Sequence, residues 1–181
     1  ERVFERPHHG LLPDQLGEDL GPVFPGKRGV ALGMRRRGGL AEVQKDGGGI
    51  AFCEGPGCRV FLEVEPSAHS AVAELVRHYP IHSKNVIAHI RKATQGRIAL
   101  ENTHPFQREL WGRYWLFAHN GNLKEFSPVL DGSFVPVGDT DSELAFCFLL
   151  QRLREEFGDA MPLRKPMFDF LAGITREIAA H

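Results

Sequence analysis

Apolar and polar positions in the middle of the chain first alternate as in a β-hairpin and then take a helical period. Short apolar runs at Gly49–Cys53 and Arg59–Leu62 are separated by Glu54-Gly55-Pro56-Gly57, which is typical of a tight connection between two strands. In Ser67–Tyr79 the apolar positions step by three and four, as they do along one face of a helix. The Ser67 hydroxyl can cap the first turn, so we predict a hairpin followed by a helix.

Two more strands and two more helices are predicted further along the chain. The mostly apolar segments Val86–Arg91 and Trp115–His119 have the length and composition of strands. The segment from Asp139 to Phe157 predicts a long helix, because Thr140-x-x-Glu143 matches a capping box. A last helix, Met167–Ala179, carries apolar residues on one side, at Met167, Leu171, Ile174 and Ile178. Strands and helices in this order predict an α+β layered domain.

The first 49 residues have a different composition from the rest. They hold 11 of the 20 glycines and four of the 12 prolines, which disfavours long helices and central strands. Five basic residues lie among these glycines, at Lys27, Arg28, Arg35, Arg36 and Arg37. We interpret them as solvated loop charge, with phosphate binding as the alternative.

Length, charge and cysteine content exclude several classes of protein. The 181 residues suit one domain, and a formal charge of −1 gives no field for general binding to nucleic acid. Three cysteines, an odd number, predict no disulfide framework, so we expect Cys53, Cys58 and Cys147 to be ordinary buried thiols in a reducing cytoplasm. No apolar run reaches the ~20 residues of a membrane helix, and the start of the chain lacks the pattern of a secretion signal.

Three polar groups offer the chemistry needed to hold an amino acid with a side-chain amide. Arg91, at the end of a predicted strand, presents a planar fork that suits a carboxylate. Asn120 and Gly121 together offer a side-chain NH₂ and an unshielded backbone N–H for a developing oxyanion. Asp141, at a predicted helix start, is stabilised as an anion and can pair with an ammonium group. Taken singly, these residues are more typical of a surface ion pair, a hairpin turn and a helix start.

Six segments taken together resemble the class II glutamine amidotransferase domain of the N-terminal-nucleophile (Ntn) hydrolase superfamily, and the small stand-alone bacterial type in particular. The resemblance runs from about Arg37 to Phe157. The segments, in the order of the family, are Arg37-Gly38, Asp46-Gly47-Gly48-Gly49, Ala88-His89-Ile90-Arg91-Lys92-Ala93-Thr94, Asn102-Thr103-His104-Pro105-Phe106, Ala118-His119-Asn120-Gly121 and Asp139-Thr140-Asp141-Ser142-Glu143.

The resemblance implies a fold and a role for each matching residue. The implied fold is the four-layer αββα sandwich, incomplete at both ends here, with an atypical Gly/Pro-rich segment over 1–36 and the amidotransferase-like domain over 37–181. Arg91 matches the residue that binds the α-carboxylate of glutamine, Asp141 the residue that binds its α-ammonium, and Asn120 with Gly121 the oxyanion hole. Four more positions match residues that line or adjoin the pocket, at Thr94, His104, Arg37 and Gly38.

The nucleophile of the family is the one catalytic group that this sequence does not match. Family members attack the side-chain amide with a cysteine that is the first residue of the mature chain, and its α-amine serves as base. This chain begins Glu1-Arg2-Val3-Phe4 and has no cysteine before Cys53. Two interpretations therefore stay open: a glutaminase or amidotransferase domain that cleaves glutamine or a related γ-glutamyl amide, and a non-catalytic relative or fragment that only binds such a compound.

A metal site is a third hypothesis, built from the histidines His69, His78, His82, His89, His104 and His119. No His-Glu-x-x-His motif or similar pair supports it, so we predict no metal. The resemblance implies no cofactor and a small-molecule partner, with neither nucleic acid nor membrane. It does not indicate an oligomeric state.

Overall fold

The computed structural model of the chain describes residues 47–66, 69–83, 85–90 and 97–181. These residues form five strands, three α-helices and a short 3₁₀ helix at Leu100–Asn102. The strands are β1 (Gly48–Glu54), β2 (Gly57–Glu63), β3 (Val86–Ile90), β4 (Phe106–Leu110) and β5 (Arg113–Phe117). The α-helices are α1 (Ala71–His78), α2 (Asp141–Phe157) and α3 (Arg164–Ala179).

The predicted first hairpin is confirmed. Strands β1 and β2 pair antiparallel in a continuous register from Gly48↔Glu63 to Glu54↔Gly57. Gly55, in the turn, has φ +61°, a conformation that glycine adopts without steric cost. Strand β3 pairs antiparallel with the other edge of β1, which gives a three-stranded sheet in the order β2-β1-β3.

The prediction that all three cysteines are thiols is wrong for two of them. Cys53 and Cys58 lie opposite each other in the hairpin, with their Cα atoms 4.1 Å apart, and form a disulfide. Their sequence spacing did not reveal this pairing, because it depends on the register of the two strands. Cys147 is a buried free thiol, as predicted, and burial raises its pKa. The cysteine count therefore no longer supports a reducing compartment.

Helix α1 begins later than predicted. Ser70 caps it, because the Ser70 hydroxyl accepts a hydrogen bond from the backbone N–H of Ala73 at 2.9 Å. The predicted cap, Ser67, lies outside the described residues. No residue of α1 is buried, so the predicted apolar stripe does not become a core face. At its C-cap the helix contacts the sheet, where the Tyr79 ring lies 5.7 Å from Phe52 and 5.8 Å from Phe61.

A second hairpin, formed by β4 and β5, lies in a region where only one strand was predicted. The predicted strand Trp115–His119 is observed two residues earlier, as Arg113–Phe117, and it pairs with β4. Trp111 and Gly112 connect the two strands, and both have positive φ, as a tight turn between twisted strands requires.

The main hydrophobic core lies between this second hairpin and helices α2 and α3. The ring of Phe117 in β5 stacks on Phe146 in α2, with ring centres 5.2 Å apart. Helix α3 begins at Arg164, three residues before its predicted start. It buries the predicted face, at Met167, Leu171, Ile174 and Ile178. Two antiparallel sheets and three α-helices in the described residues confirm a mixed α+β architecture.

The N-terminus of α2 is held by a cap and by a partly buried ion pair. The Thr140 hydroxyl accepts a hydrogen bond from the backbone N–H of Glu143 at 3.2 Å, as the capping box predicts. The Glu143 carboxylate departs from that motif: it accepts hydrogen bonds from the backbone N–H groups of Val137 and Gly138 and pairs with Arg108 of β4. This network ties the second hairpin to the helix start.

No helix in the described part of the chain combines the length and the apolar composition needed to cross a bilayer.

Candidate functional site

The Asn120-Gly121 dipeptide lies in an irregular loop after β5, and both residues are exposed. A hairpin turn is therefore the wrong interpretation of this dipeptide, because none of the residues from 118 to 181, all of them described, forms a strand. The hairpin turn in this region is at Trp111 and Gly112 instead. The side-chain amide of Asn120 and the backbone of Gly121 thus stand at the surface, without the pairing a hairpin imposes.

Asp141 fastens this loop to the start of α2. Its Oδ2 accepts a hydrogen bond from the backbone N–H of Leu123 at 2.6 Å, and its Oδ1 accepts one from the Ser142 hydroxyl at 3.2 Å. A carboxylate offers about four lone-pair positions, so these two bonds fix the group without using all its capacity. The first turn of a helix also stabilises negative charge. The structure therefore holds an anion close to the Asn120-Gly121 turn.

His119 lies between Asp141 and the turn. Its Nδ1 is 3.0 Å from the Ser142 hydroxyl oxygen, and Ser142 is buried. Burial lowers the pKa of His119 below its ordinary value of 6.5, while the charge of Asp141 acts in the opposite direction. The imidazole is therefore neutral at neutral pH.

Asn102 joins a third segment to the same region. Its side chain, fully buried, donates a hydrogen bond to Oδ1 of Asp139 at 2.6 Å and accepts one from the backbone N–H of Asp139 at 3.0 Å. It also donates to the carbonyl of Arg97 at 3.0 Å. A methyl group built on Gly138 would lie 2.1 Å from the Asn102 amide oxygen, so the two segments are in direct contact.

His104 connects this third segment to the first sheet. It is buried, and its ring centre lies 4.3 Å from that of His89 in β3 and 4.5 Å from that of Phe106. A methyl group built on Gly49 would lie 2.3 Å from the carbonyl oxygen of His104, so β1 passes directly over this segment. Glycine is required at position 49 for that close approach.

A comparison with known protein families shows to which family the chain belongs. Residues 30–181 match the family model of the class-II glutamine amidotransferases. The chain belongs to this family. The recognition made on six short motifs is thereby confirmed.

The names of similar proteins agree with this family assignment. It is 49% identical over 146 residues to a protein of Escherichia coli (strain K12) named "Putative glutamine amidotransferase YafJ", which is 81% of this chain and 57% of that protein. It is 47% identical over 149 residues to a "Putative glutamine amidotransferase" of Haemophilus influenzae, covering 82% of this chain and 50% of that protein. The chain thus spans about half the length of these relatives.

A solved structure supports the same conclusion. The crystal structure of a predicted glutamine amidotransferase from Pseudomonas aeruginosa PA01 shares 43% sequence identity with this chain. The two superpose with a TM-score of 0.61, covering 80% of this chain and 56% of the other.

Four of the eight predicted site residues are described, and they lie in two places. Asn120, Gly121 and Asp141 are brought together by the loop after β5, while His104 lies at the contact of β1, β3 and β4. The other four predicted residues, Arg91, Thr94, Arg37 and Gly38, lie outside the described residues.

Three residues that organise the site were not predicted: His119, Ser142 and Asn102. Each belongs to one of the six recognised motifs. His119 and Ser142 are next to residues that were assigned a role, and Asn102 is the first residue of its motif. Their contacts join positions 23 to 37 residues apart, so the motifs alone could not show them. Among the described residues, which include the six histidines considered, no group of three His, Cys, Asp or Glu is placed to hold a metal ion.

Proposed function

We propose that this domain binds glutamine, or a related γ-glutamyl amide, by both ends of the amino acid and presents its side-chain amide for cleavage. One observation carries the proposal: the loop with Asn120 and Gly121 is held against the carboxylate of Asp141. The backbone N–H of Leu123 donates to this carboxylate directly, and His119 contacts Ser142, whose hydroxyl donates to it as well. An anion and two potential oxyanion donors are thus held in one short loop and the helix start beside it. That combination suits a ligand with an ammonium group at one end and a carbonyl at the other.

The ends of the ligand are assigned by charge. Asp141 binds the α-ammonium, because its carboxylate is anionic and fixed by two hydrogen bonds from its own chain. Arg91 binds the α-carboxylate through its guanidinium fork. Thr94, His104, Arg37 and Gly38 line or adjoin the pocket, an assignment that rests on the family motifs.

The oxyanion hole is assigned to Asn120 and Gly121. When an amide carbonyl is attacked, its oxygen becomes negative, and two preorganised donors stabilise that charge. Both residues are exposed, so a ligand can reach them. In the family, attack by a cysteine thiolate gives a γ-glutamyl thioester and releases ammonia.

The nucleophile is assigned to none of the cysteines of this sequence. Cys53 and Cys58 form a disulfide, and Cys147 is buried with a raised pKa, which disfavours the thiolate. We therefore expect the polypeptide of residues 1–181 to bind its ligand without turnover. The alternative, a relative that only binds γ-glutamyl compounds, makes the same expectation for this polypeptide.

Three further features belong to the proposal. The two antiparallel sheets support a four-layer αββα sandwich of the Ntn-hydrolase type. The domain occupies residues 37–181, after a distinct Gly/Pro-rich segment over 1–36. We keep the cytoplasm as the proposed compartment, although the Cys53–Cys58 disulfide gives it no support.

The test is calorimetric titration of residues 1–181 with L-glutamine. Arg91→Ala is expected to abolish binding, because the α-carboxylate loses its bidentate partner. Lys92→Ala is the matched control, a neighbouring cation with no assigned contact, and is expected to bind nearly as well as the parent. Undiminished binding in Arg91→Ala would contradict the assignment. Ammonia release above background by the parent would show that another group serves as nucleophile.

A further inference from the structure

The ring of His119 bridges the two parts of the proposed site. On one edge, Nδ1 lies 3.0 Å from the Ser142 hydroxyl oxygen, and that hydroxyl lies 3.2 Å from Oδ1 of Asp141. On the other edge, Nε2 faces Gly121: a methyl group built there would lie 2.7 Å from Nε2 and 2.9 Å from Cε1. One imidazole therefore spans from the anionic helix start to the turn that carries the oxyanion donors.

The donor and acceptor capacities of the three side chains fix the direction of the hydrogen bonds that link Asp141, Ser142 and His119. A carboxylate only accepts, so the Ser142 hydroxyl donates to Asp141 and accepts from the ring. Nδ1 of His119 must then carry the ring proton. Because burial lowers the pKa of His119 and the ring is neutral, Nε2 faces Gly121 without a proton.

The contact between the ring and Gly121 is tight enough to couple their positions. Gly121 is not among the glycines with positive φ, so its backbone conformation does not exclude a side chain. The His119 ring is what occupies the space that a Cβ would need. Since the Ser142 hydrogen bond orients the ring, a change at Ser142 is transmitted to the turn.

We propose that His119 and Ser142 are positioning residues that hold the Asn120-Gly121 turn at a fixed distance from Asp141. They thereby set the separation between the groups that bind the two ends of glutamine, without touching the ligand themselves. This inference rests on the proposed function, since it assigns the turn to the side-chain carbonyl and Asp141 to the ammonium group.

The experiment compares two ligands that differ in the side-chain amide. L-Norvaline has the α-ammonium, the α-carboxylate and the chain length of L-glutamine but lacks the amide. The ratio of their dissociation constants therefore isolates what the turn contributes. If His119 has a merely structural role, its replacement would weaken the binding of both ligands and leave this ratio unchanged.

His119→Ala is expected to reduce the preference for L-glutamine about tenfold, with the Kd of L-norvaline unchanged. Ser142→Ala is expected to move the ratio in the same direction by less, and Ser142→Thr, which keeps the hydroxyl, to restore it. His78→Ala is the matched control, because the His78 side chain is 74% exposed on α1. A full glutamine preference in His119→Ala would overturn the inference.

A double substitution tests the contact itself. Gly121→Ala is expected to reduce the glutamine preference in the parent, where the added methyl group meets the ring, and to have little further effect in His119→Ala. Additive effects would contradict the proposed coupling.

The tautomer of His119 provides a measurement that needs no variant. Long-range ¹H–¹⁵N correlation spectra of the parent are expected to show the proton on Nδ1, and a proton on Nε2 would overturn the inference even if the variants fail to fold. If the parent binds neither ligand while the tautomer is as expected, the proposed function fails and the hydrogen-bond chain is only structural.

Discussion

Asp141 combines a structural and an electrostatic role in one side chain. It accepts hydrogen bonds from Leu123 and Ser142, and it places a negative charge at the N-terminus of α2. The structural part needs acceptor oxygen atoms, whereas binding an ammonium group needs the charge. An isosteric amide separates the two roles.

Asp141→Asn is therefore expected to weaken L-glutamine binding about tenfold or more while changing the melting temperature little, because the amide oxygen still accepts one of the two hydrogen bonds. Calorimetry and thermal unfolding of the same samples check this. Glu125→Gln, an exposed acidic residue in the same loop, serves as control. Equal L-glutamine binding by Asp141→Asn and the parent would show that the Asp141 carboxylate does not bind the ligand.

His119 makes the stability of the domain depend on pH. Its pKa in the folded protein is below the ordinary value of 6.5, chiefly because of burial, and Asp141 opposes the shift only in part. The unfolded chain takes up this proton near pH 6.5, but the folded protein does so only at lower pH. As the pH falls below about 6.5, the unfolded state binds more protons, so the free energy of unfolding decreases.

Urea unfolding at pH 7.5 and pH 5.5 measures this effect. The parent is expected to lose more stability between the two values than His119→Gln, which has no titrating group at this position. The contribution of His119 is fully present above its unfolded pKa and is lost on the acid side. An identical pH dependence in the two proteins would show that His119 titrates normally when folded.

At the scale of elements, the contact between the 3₁₀ helix and the segment that leads into α2 depends on one glycine. A methyl group at Gly138 would lie 2.1 Å from Oδ1 of Asn102 and 2.9 Å from the backbone oxygen of Glu101. The Asn102 amide is held by Asp139 and by the carbonyl of Arg97, so it cannot move without breaking those hydrogen bonds.

Gly138→Ala is expected to lower the free energy of unfolding by about 2–3 kcal/mol, because the close approach and the buried amide bonds cannot both be kept. Gly173→Ala in α3 is the matched control. An added methyl group there meets no atom within 4 Å, and alanine favours the helix by about 0.5–1 kcal/mol. Denaturant unfolding of both variants checks the contrast, and equal effects would contradict it.

Elements that depend on local pattern could be predicted from the sequence. The β1–β2 hairpin, the Thr140 cap and the buried face of α3 each follow from residues a few positions apart. Strand β4 was missed because Gln107, Arg108 and Glu109 are polar in its centre. Arg108 pairs there with Glu143, 35 positions away.

The candidate site shows the same division between local and distant information. Asn120, Gly121 and Asp141 were identified because short motifs carry them. The hydrogen bond between His119 and Ser142 and the Asn102–Asp139 pair join distant segments, and so does the contact of Gly49 with His104. Such contacts become visible only once the strands and helices are placed. The Cys53–Cys58 disulfide was missed for the same reason, since it depends on strand register.

At the scale of the whole molecule, three of the recognised motifs are fastened to one another by side-chain hydrogen bonds. Asn102 binds Asp139, His119 binds Ser142, and Leu123 binds Asp141. The first sheet meets this assembly where Gly49 passes the His104 carbonyl. Membership of the class-II glutamine amidotransferases explains why these segments occur together in this order.

The most direct test of this account is a crystal structure of the chain with L-glutamine bound. The account predicts the α-ammonium of the ligand at hydrogen-bond distance from the Asp141 carboxylate, with its side-chain carbonyl oxygen facing the Asn120 amide and the Gly121 N–H. A glutamine bound elsewhere on the molecule, or reversed so that its α-carboxylate meets Asp141, would contradict it.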